Sequence, residues 1–160
     1  MKSFAPSIQI PFILLACVVM LDPLGSQTAI EVLISYGAVI LSFVGAVHWG
    51  FALRDSAAPV GGIPLSPAVL GSERQLLIFG IVPAIIGWVA LSAMLHFNAP
   101  GLSLFLLLVG FFIAIVVETI GRGRGVVAAN YLALRWAVSI IVLLCLATVL
   151  FAVLTGMRIG

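Results

Sequence analysis

Five apolar stretches, separated by segments that are polar or contain Gly and Pro, fill most of the chain. Each is about 20 residues long, the length that an α-helix needs to cross a bilayer at a rise of about 1.5 Å per residue. They cover residues 4–24, 32–53, 76–95, 102–120 and 136–154. None has the alternating polar face of a membrane β-strand, so the pattern predicts helices. Pro6 and Pro11 are expected to confine the first helix to its later turns.

The composition places these helices in a membrane. Of the 160 residues, 64% are hydrophobic and 8% are charged, whereas soluble domains carry about 45–50% apolar and about 25% charged residues. A soluble fold of this size could not bury so much apolar surface. We therefore predict an all-α integral membrane protein, a five-helix transmembrane bundle that forms a single domain over residues 1–160.

The basic residues predict the orientation of the bundle. With five spans, six basic residues fall on one side of the membrane and only Arg158 falls on the other. The six are Lys2, Arg54, Arg74, Arg122, Arg124 and Arg135. By the positive-inside rule, the N-terminus is inside and the C-terminus outside. The expected location is the bacterial inner membrane, or the mitochondrial inner membrane if the protein is eukaryotic.

A cluster of polar residues is predicted at the inner boundary. It consists of His48, Trp49, Arg74, Glu118, Arg122 and Arg135. Glu118 stands near the end of the fourth apolar stretch, where an ionisable group costs several kcal/mol unless it is paired or hydrated. Arg122 would share its helix face if the helix continued past Ile120. A structural ion pair and a carboxylate that handles protons or a ligand both remain open.

Other chemistry is poorly supported by the sequence. The second histidine, His96, falls on the opposite side from His48, so paired histidine ligands for a haem are not expected. Cys17 and Cys145 lie in mid-stretch, with no spacing typical of a metal site or a redox pair. The GRGRG run at 121–125 lacks the Lys and Ser/Thr of a phosphate-binding loop. We predict no catalytic residues, no metal, no cofactor and no nucleic-acid binding.

Small residues in the second stretch predict a close helix–helix contact. They recur at spacings of three and four residues, which lets two backbones approach each other. They are Ser35, Ala38, Ser42, Gly45 and Ala46. The pattern fits a contact within the chain and one between chains equally well. Further tight contacts are expected at Gly80, Gly87, Gly110 and Gly156.

Three local patterns together resemble the membrane family typified by transmembrane protein 69, which occurs in bacteria and mitochondria. The first runs from Ser35 to Phe43 and through Gly45 to His48-Trp49-Gly50. The second runs from Arg74 through Gly80 and Pro83 to Trp88, and the third is Tyr131-Leu132-x-Leu134-Arg135. The resemblance implies a small multi-helix protein and draws attention to His48, Trp49, Arg74 and Arg135. It implies no reaction.

The expected function is that of a non-enzymatic inner-membrane protein. It would pack against other membrane subunits, as an accessory or assembly component of a larger complex, with an energy-transducing complex suggested by the occurrence of the resembling family in mitochondria. The alternative is a small transporter, channel or lipid-binding protein whose inner-side site contains His48, Glu118 and Arg135. Membrane lipids are expected partners in either case.

Overall fold

A computed structural model describes the chain at residues 5–22, 25–56, 67–123 and 129–156, with side chains described at 9–22, 25–46, 78, 80–119 and 136–156. These residues form five α-helices. They are α1 (Ala5–Leu21), α2 (Ser26–Ser56), α3 (Pro67–Phe97), α4 (Pro100–Gly123) and α5 (Ala129–Thr155). The predicted all-helical fold is confirmed.

Four of the five helices are long and apolar enough to cross a membrane. Their apolar segments are Ser26–Ala46, Gly80–Phe97, Pro100–Thr119 and Trp136–Thr155. Helix α1 is shorter, with 17 residues, of which Gln9–Leu21 form its described apolar part. Its 17 residues would span about 25 Å, near the lower limit for crossing a hydrocarbon core.

Several helix ends differ from the sequence-based expectation. The expectation that the prolines delay α1 is wrong: α1 begins at Ala5, and Pro11 lies inside it, because proline is tolerated where neighbouring helices hold the segment. Helix α2 begins at Ser26, six residues before the predicted stretch. Helix α3 begins at Pro67, so it takes up part of the segment between the second and third predicted stretches. Hydropathy marks where apolar residues end, whereas backbone hydrogen bonding carries each helix further.

The connections between α1 and α2 and between α3 and α4 lie at one end of the bundle, which we call the turn end. Between α3 and α4, Asn98 adopts a positive φ of 47°, and its N–H donates to the carbonyl of Met94 at 3.1 Å. This is a left-handed helix cap, which asparagine tolerates better than most residues. Pro100 then begins α4, a position that needs no N–H donor. Between α1 and α2, the N–H of Ala29 donates to the carbonyl of Gly25 at 2.9 Å.

The helices pack in chain order as a closed ring. Each helix contacts the next along the chain, α5 returns to contact α1, and α2 also contacts α4 across the middle. The core of this ring is built from fully buried aliphatic and aromatic side chains. The largest are Phe12, Leu33, Ile34, Leu41, Leu104, Leu107 and Leu146. Phe12 connects three helices, because its ring meets Tyr36 of α2 and Phe111 of α4 edge-on, at centroid distances of 5.1 and 6.1 Å.

Candidate functional site

Helices α2 and α3 meet at two points of very close backbone approach, which together form the α2–α3 seam. A Cβ atom added to Gly45 would overlap the carbonyl oxygen of Gly80. One added to Gly87 would lie 2.9 Å from the carbonyl oxygen of Ala38. The two contacts are seven residues apart on both antiparallel helices. The seam is therefore internal to the chain, and the residues at its centre are small because no side chain fits there.

The five small residues predicted as a packing stripe on α2 divide between this seam and the outer surface. Ala38 and Gly45 are buried against α3, and Ser42 is half-buried with its hydroxyl donating to the carbonyl of Ala38 at 2.9 Å. Ser35 and Ala46 are exposed. The hydroxyl of Ser35 donates to the carbonyl of Glu31 in its own helix at 2.8 Å.

Gly110 marks the point where α2, α3 and α4 converge. A Cβ atom there would lie 2.5 Å from Cδ2 of Leu41 and 3.0 Å from Cγ2 of Ile86. Gly156 does not form the tight contact expected of it. Its φ is 58°, and no atom lies within 4 Å of an added Cβ, so it follows the end of α5 as a left-handed residue instead.

Glu118 is the one charged residue among the buried side chains that the structure describes. It is 6% exposed and takes part in at least one hydrogen bond or electrostatic interaction. Helix α4 continues to Gly123, so positions 118 and 122 lie one helical turn apart, as an i, i+4 pair. Helix α4 therefore does continue past Ile120, which is the condition for positions 118 and 122 to share one helix face.

The helix register shows what lies level with Glu118. Helices α2 and α4 run in the same direction, with Gly37 against Leu107, and Leu41 against Gly110. Eleven residues after Gly37 and Leu107 come His48 and Glu118. Continued to the end of the two helices, this register puts positions 48 and 118 at the same depth.

The same reasoning places α5 at this depth. Helices α4 and α5 are antiparallel, and Gly101 lies against Val153 and Leu154. Seventeen residues along α4 from Gly101 is Glu118, and seventeen residues back from Val153 is Trp136. Arg135 is adjacent to that level, and Arg74 lies on the half of α3 that leads to the same end. We call this end of the bundle the basic end.

The remaining members of the predicted cluster have helical backbones, but their side chains lie outside the described residues. They are His48 and Trp49 in α2, Arg74 in α3, Arg122 in α4 and Arg135 in α5. Glu118 is thus the member whose surroundings the structure describes. At the turn end, Asp22, Glu31, His96 and Asn98 are all exposed. Within the described residues, no group of three or more His, Cys, Asp or Glu side chains could hold a metal ion.

The distribution of polar side chains inside the bundle could not be predicted from the sequence. Ser26 and Ser103 are buried near the turn end, whereas Ser139 and Glu118 are buried near the basic end. Between these two levels the fully buried residues are apolar. The sequence does contain a signal for the α2–α3 seam, because Ala38/Gly45 and Gly80/Gly87 are two pairs of small residues with the same seven-residue separation on consecutive helices.

Comparison with known proteins gives one assignment. No curated protein and no solved structure matches the chain significantly. A family described as "Protein of unknown function (DUF3429)" matches residues 6–151, a stretch that reaches from α1 into α5. The chain is a multi-pass membrane protein that belongs to the DUF3429 family.

Proposed function

We propose that this protein is a non-enzymatic accessory or assembly subunit of a larger complex in a bacterial or mitochondrial inner membrane. The observation that carries the proposal is the apolar layer in the middle of the bundle. From Leu104 to Ala114 of α4, about 15 Å along the helix axis, the buried residues at this depth are apolar. Among them are Leu104, Leu107, Phe111, Ala114, Ile34, Leu41, Ala90, Val142 and Leu146.

A transport path across the bundle would need polar groups or water at this depth. Charged and polar side chains inside membrane proteins normally line such paths, because burial in an apolar layer is costly. Tyr36 is half-buried here, but its ring packs edge-on against Phe12. A packed, apolar interior is typical of a protein that acts through its outer surface, and this surface is rich in large apolar side chains such as Phe43, Phe112 and Phe151.

The inner-membrane location and the orientation rest on sequence. Six of the seven basic residues lie on the side predicted to face inward. The relation to the family typified by transmembrane protein 69 rests on the three patterns quoted above. Because that family occurs in mitochondria as well as bacteria, an energy-transducing complex is the candidate partner.

Gentle extraction of a tagged copy from its native membrane tests this role. The protein is solubilised in digitonin or polymer discs, and the co-purifying proteins are quantified by mass spectrometry. The expected result is a stoichiometric set of membrane subunits. A tagged, unrelated multi-pass protein expressed at the same level serves as the control. Recovery of the chain with no subunit enriched over this control would contradict the proposal.

A second function, proton or ligand handling at the basic end, is favoured by one observation. Glu118 is buried, and the α2–α4 register, if continued to this end, supports a position level with His48. This candidate predicts that Glu118→Gln abolishes proton flux into proteoliposomes, followed with a trapped pH-sensitive dye. Glu31→Gln, which changes an exposed carboxylate near the turn end, is the matched control. Equal flux through both variants and the unmodified protein would remove Glu118 from any such mechanism.

A further inference from the structure

The outward face of α3 carries a tryptophan in an unusual place. Trp88 is 69% exposed. It lies eight residues before His96 and fourteen after Arg74, about 12 Å and 21 Å along the helix axis. It is therefore near the middle of the membrane, whereas tryptophan is normally enriched at the two membrane surfaces, where its N–H finds polar partners.

The indole N–H of Trp88 makes no hydrogen bond within the part of the chain that the structure describes, and neither does the hydroxyl of Ser92, one turn further on. Exposed hydroxyls on other helices are satisfied by hydrogen bonds within their own helix. Thr119 of α4 and Thr148 of α5 each donate at 2.7 Å to the carbonyl four residues earlier. Lipid tails offer no acceptor, and an unsatisfied N–H in hydrocarbon costs several kcal/mol. The indole N–H of Trp88 therefore needs a hydrogen-bond acceptor from another protein chain at this depth.

Trp88 and Ser92 belong to a stripe that fits a parallel helix pair. Its members alternate at spacings of three and four residues along α3, and all are exposed except Ser92, which is half-buried. They are Ile78, Ile81, Ile85, Trp88, Ser92 and Leu95. Residues at this spacing form the contact line when two helices pack in parallel at a shallow angle. We call this stripe the Trp88 face.

We infer that the Trp88 face binds a second copy of this chain, in a two-fold pair whose axis is perpendicular to the membrane. Both copies are inserted in the same orientation, so residues of equal depth meet across the axis. Trp88 of one copy then lies one layer from Ser92 of the other. The indole N–H of each Trp88 donates to the Ser92 hydroxyl oxygen of the other copy, so the pair contains two equivalent hydrogen bonds.

The face is self-complementary in both hydrogen bonding and size. Trp88 offers only a donor, whereas the Ser92 hydroxyl can accept that bond and donate its own proton to a backbone carbonyl of its helix. Ser35 and Ser42 of α2 already make this bond to the carbonyl four residues earlier. The small Ser92 also leaves room beside the large indole. These two features favour a second copy over lipid as the occupant of the face.

Site-specific cross-linking of the full chain tests the geometry. Cys17 and Cys145 are first replaced by alanine, and the protein is placed in lipid vesicles at a low protein-to-lipid ratio. Ser92→Cys is compared with Phe105→Cys, since Phe105 is exposed on α4 at nearly the same depth. We expect oxidation to produce covalent dimers from Ser92→Cys only. Equal cross-linking at both positions would overturn the proposal.

The strength of association tests the hydrogen bond. Subunits per vesicle are counted by single-molecule photobleaching for the unmodified chain, Trp88→Phe and the matched control Phe112→Leu on α4. One membrane hydrogen bond contributes about 1 kcal/mol, and two symmetric bonds are lost, so we expect Trp88→Phe to weaken pairing by about thirtyfold. The control should pair normally. A monomeric unmodified chain, a stoichiometry other than two, or unchanged pairing in Trp88→Phe would each overturn the proposal. The test uses the chain alone, so its failure leaves the proposed accessory role intact.

Discussion

Gly45 of α2 lies directly against the backbone carbonyl oxygen of Gly80 in α3. A Cβ atom at position 45 would overlap that oxygen, and the next nearest atoms are the carbonyl carbon of Gly80 and Cβ of Pro83. All three belong to backbone or to a rigid ring, so none can turn aside as a flexible side chain would. Helices α2 and α3 can therefore approach this closely only because position 45 has no side chain.

Gly45→Ala is expected to destabilise the bundle by about 2 kcal/mol or more, because α2 and α3 must separate to admit the methyl group. Reversible unfolding in mixed detergent micelles measures the change. Ala46→Leu is the control, since Ala46 is exposed and substitutions at such sites change stability by about 0.5 kcal/mol or less. An equal effect of the two variants would contradict the close contact at Gly45.

Gly110 allows a comparison with Gly45, because the atoms nearest to an added Cβ belong to flexible side chains rather than to backbone. Gly110→Ala would press on Cδ2 of Leu41 and Cγ2 of Ile86, which can adjust, so we expect a smaller loss of about 1 kcal/mol. Leu41→Ala alone should cost about 2–5 kcal/mol through the cavity it leaves.

The double variant Gly110→Ala/Leu41→Ala should be more stable than the sum of the two single effects, because the new methyl group enters the space left by leucine. The same unfolding measurement in all four proteins gives this coupling free energy. Additive effects would show that Gly110 and Leu41 do not share this space.

The helices were predictable from sequence, but their arrangement was not. Apolar composition alone predicts an all-helical membrane fold, because a bilayer admits few other structures. The small residues of α2 indicated a close contact without naming the partner. That partner is α3, and nothing in the sequence alone links its Gly80 and Gly87 to the small residues of α2. The register of one helix against its neighbour also depends on the side chains between them, such as Leu41 against Gly110. The residue pattern of a single helix does not contain this information.

The candidate site was predictable in part. Glu118 attracts attention in sequence because it interrupts an apolar helix, and its burial depends on packing against the neighbouring helices. Trp88 could be singled out only as part of a pattern. Its exposure at mid-depth follows from the seam, because Gly87 faces α2 and the next residue along the helix is turned outward by about 100°.

The basic residues make a testable prediction about orientation. His96 is exposed in the last turn of α3, at the turn end, and Gly123 ends α4 at the basic end. In a background without Cys17 and Cys145, a membrane-impermeant maleimide should label His96→Cys from outside intact cells. Gly123→Cys should react only after the cells are opened. The reverse pattern would show that the six basic residues face outward, against the positive-inside rule.

The depth relation between positions 48 and 118 can be measured directly. Gly37, Leu41 and Val44 form a series at helical spacing along α2, two of whose members contact α4, and position 48 continues that series. In the cysteine-free background, His48→Cys and Glu118→Cys together are expected to be joined by a short bifunctional reagent. The control pairs Glu118→Cys with Phe43→Cys, because Phe43 is 69% exposed on another face of α2.

Cross-linking of the 48–118 pair alone would place a histidine beside the buried carboxylate and make the basic end a polar site shared by two helices. Cross-linking of neither pair would mean that the register seen at Leu41 and Gly110 is lost before it reaches the basic end. Glu118 would then have its partners on α4 or α5, where Arg122 and Arg135 are the nearest basic positions in the register. The result therefore distinguishes a site between α2 and α4 from an ion pair confined to the α4–α5 side.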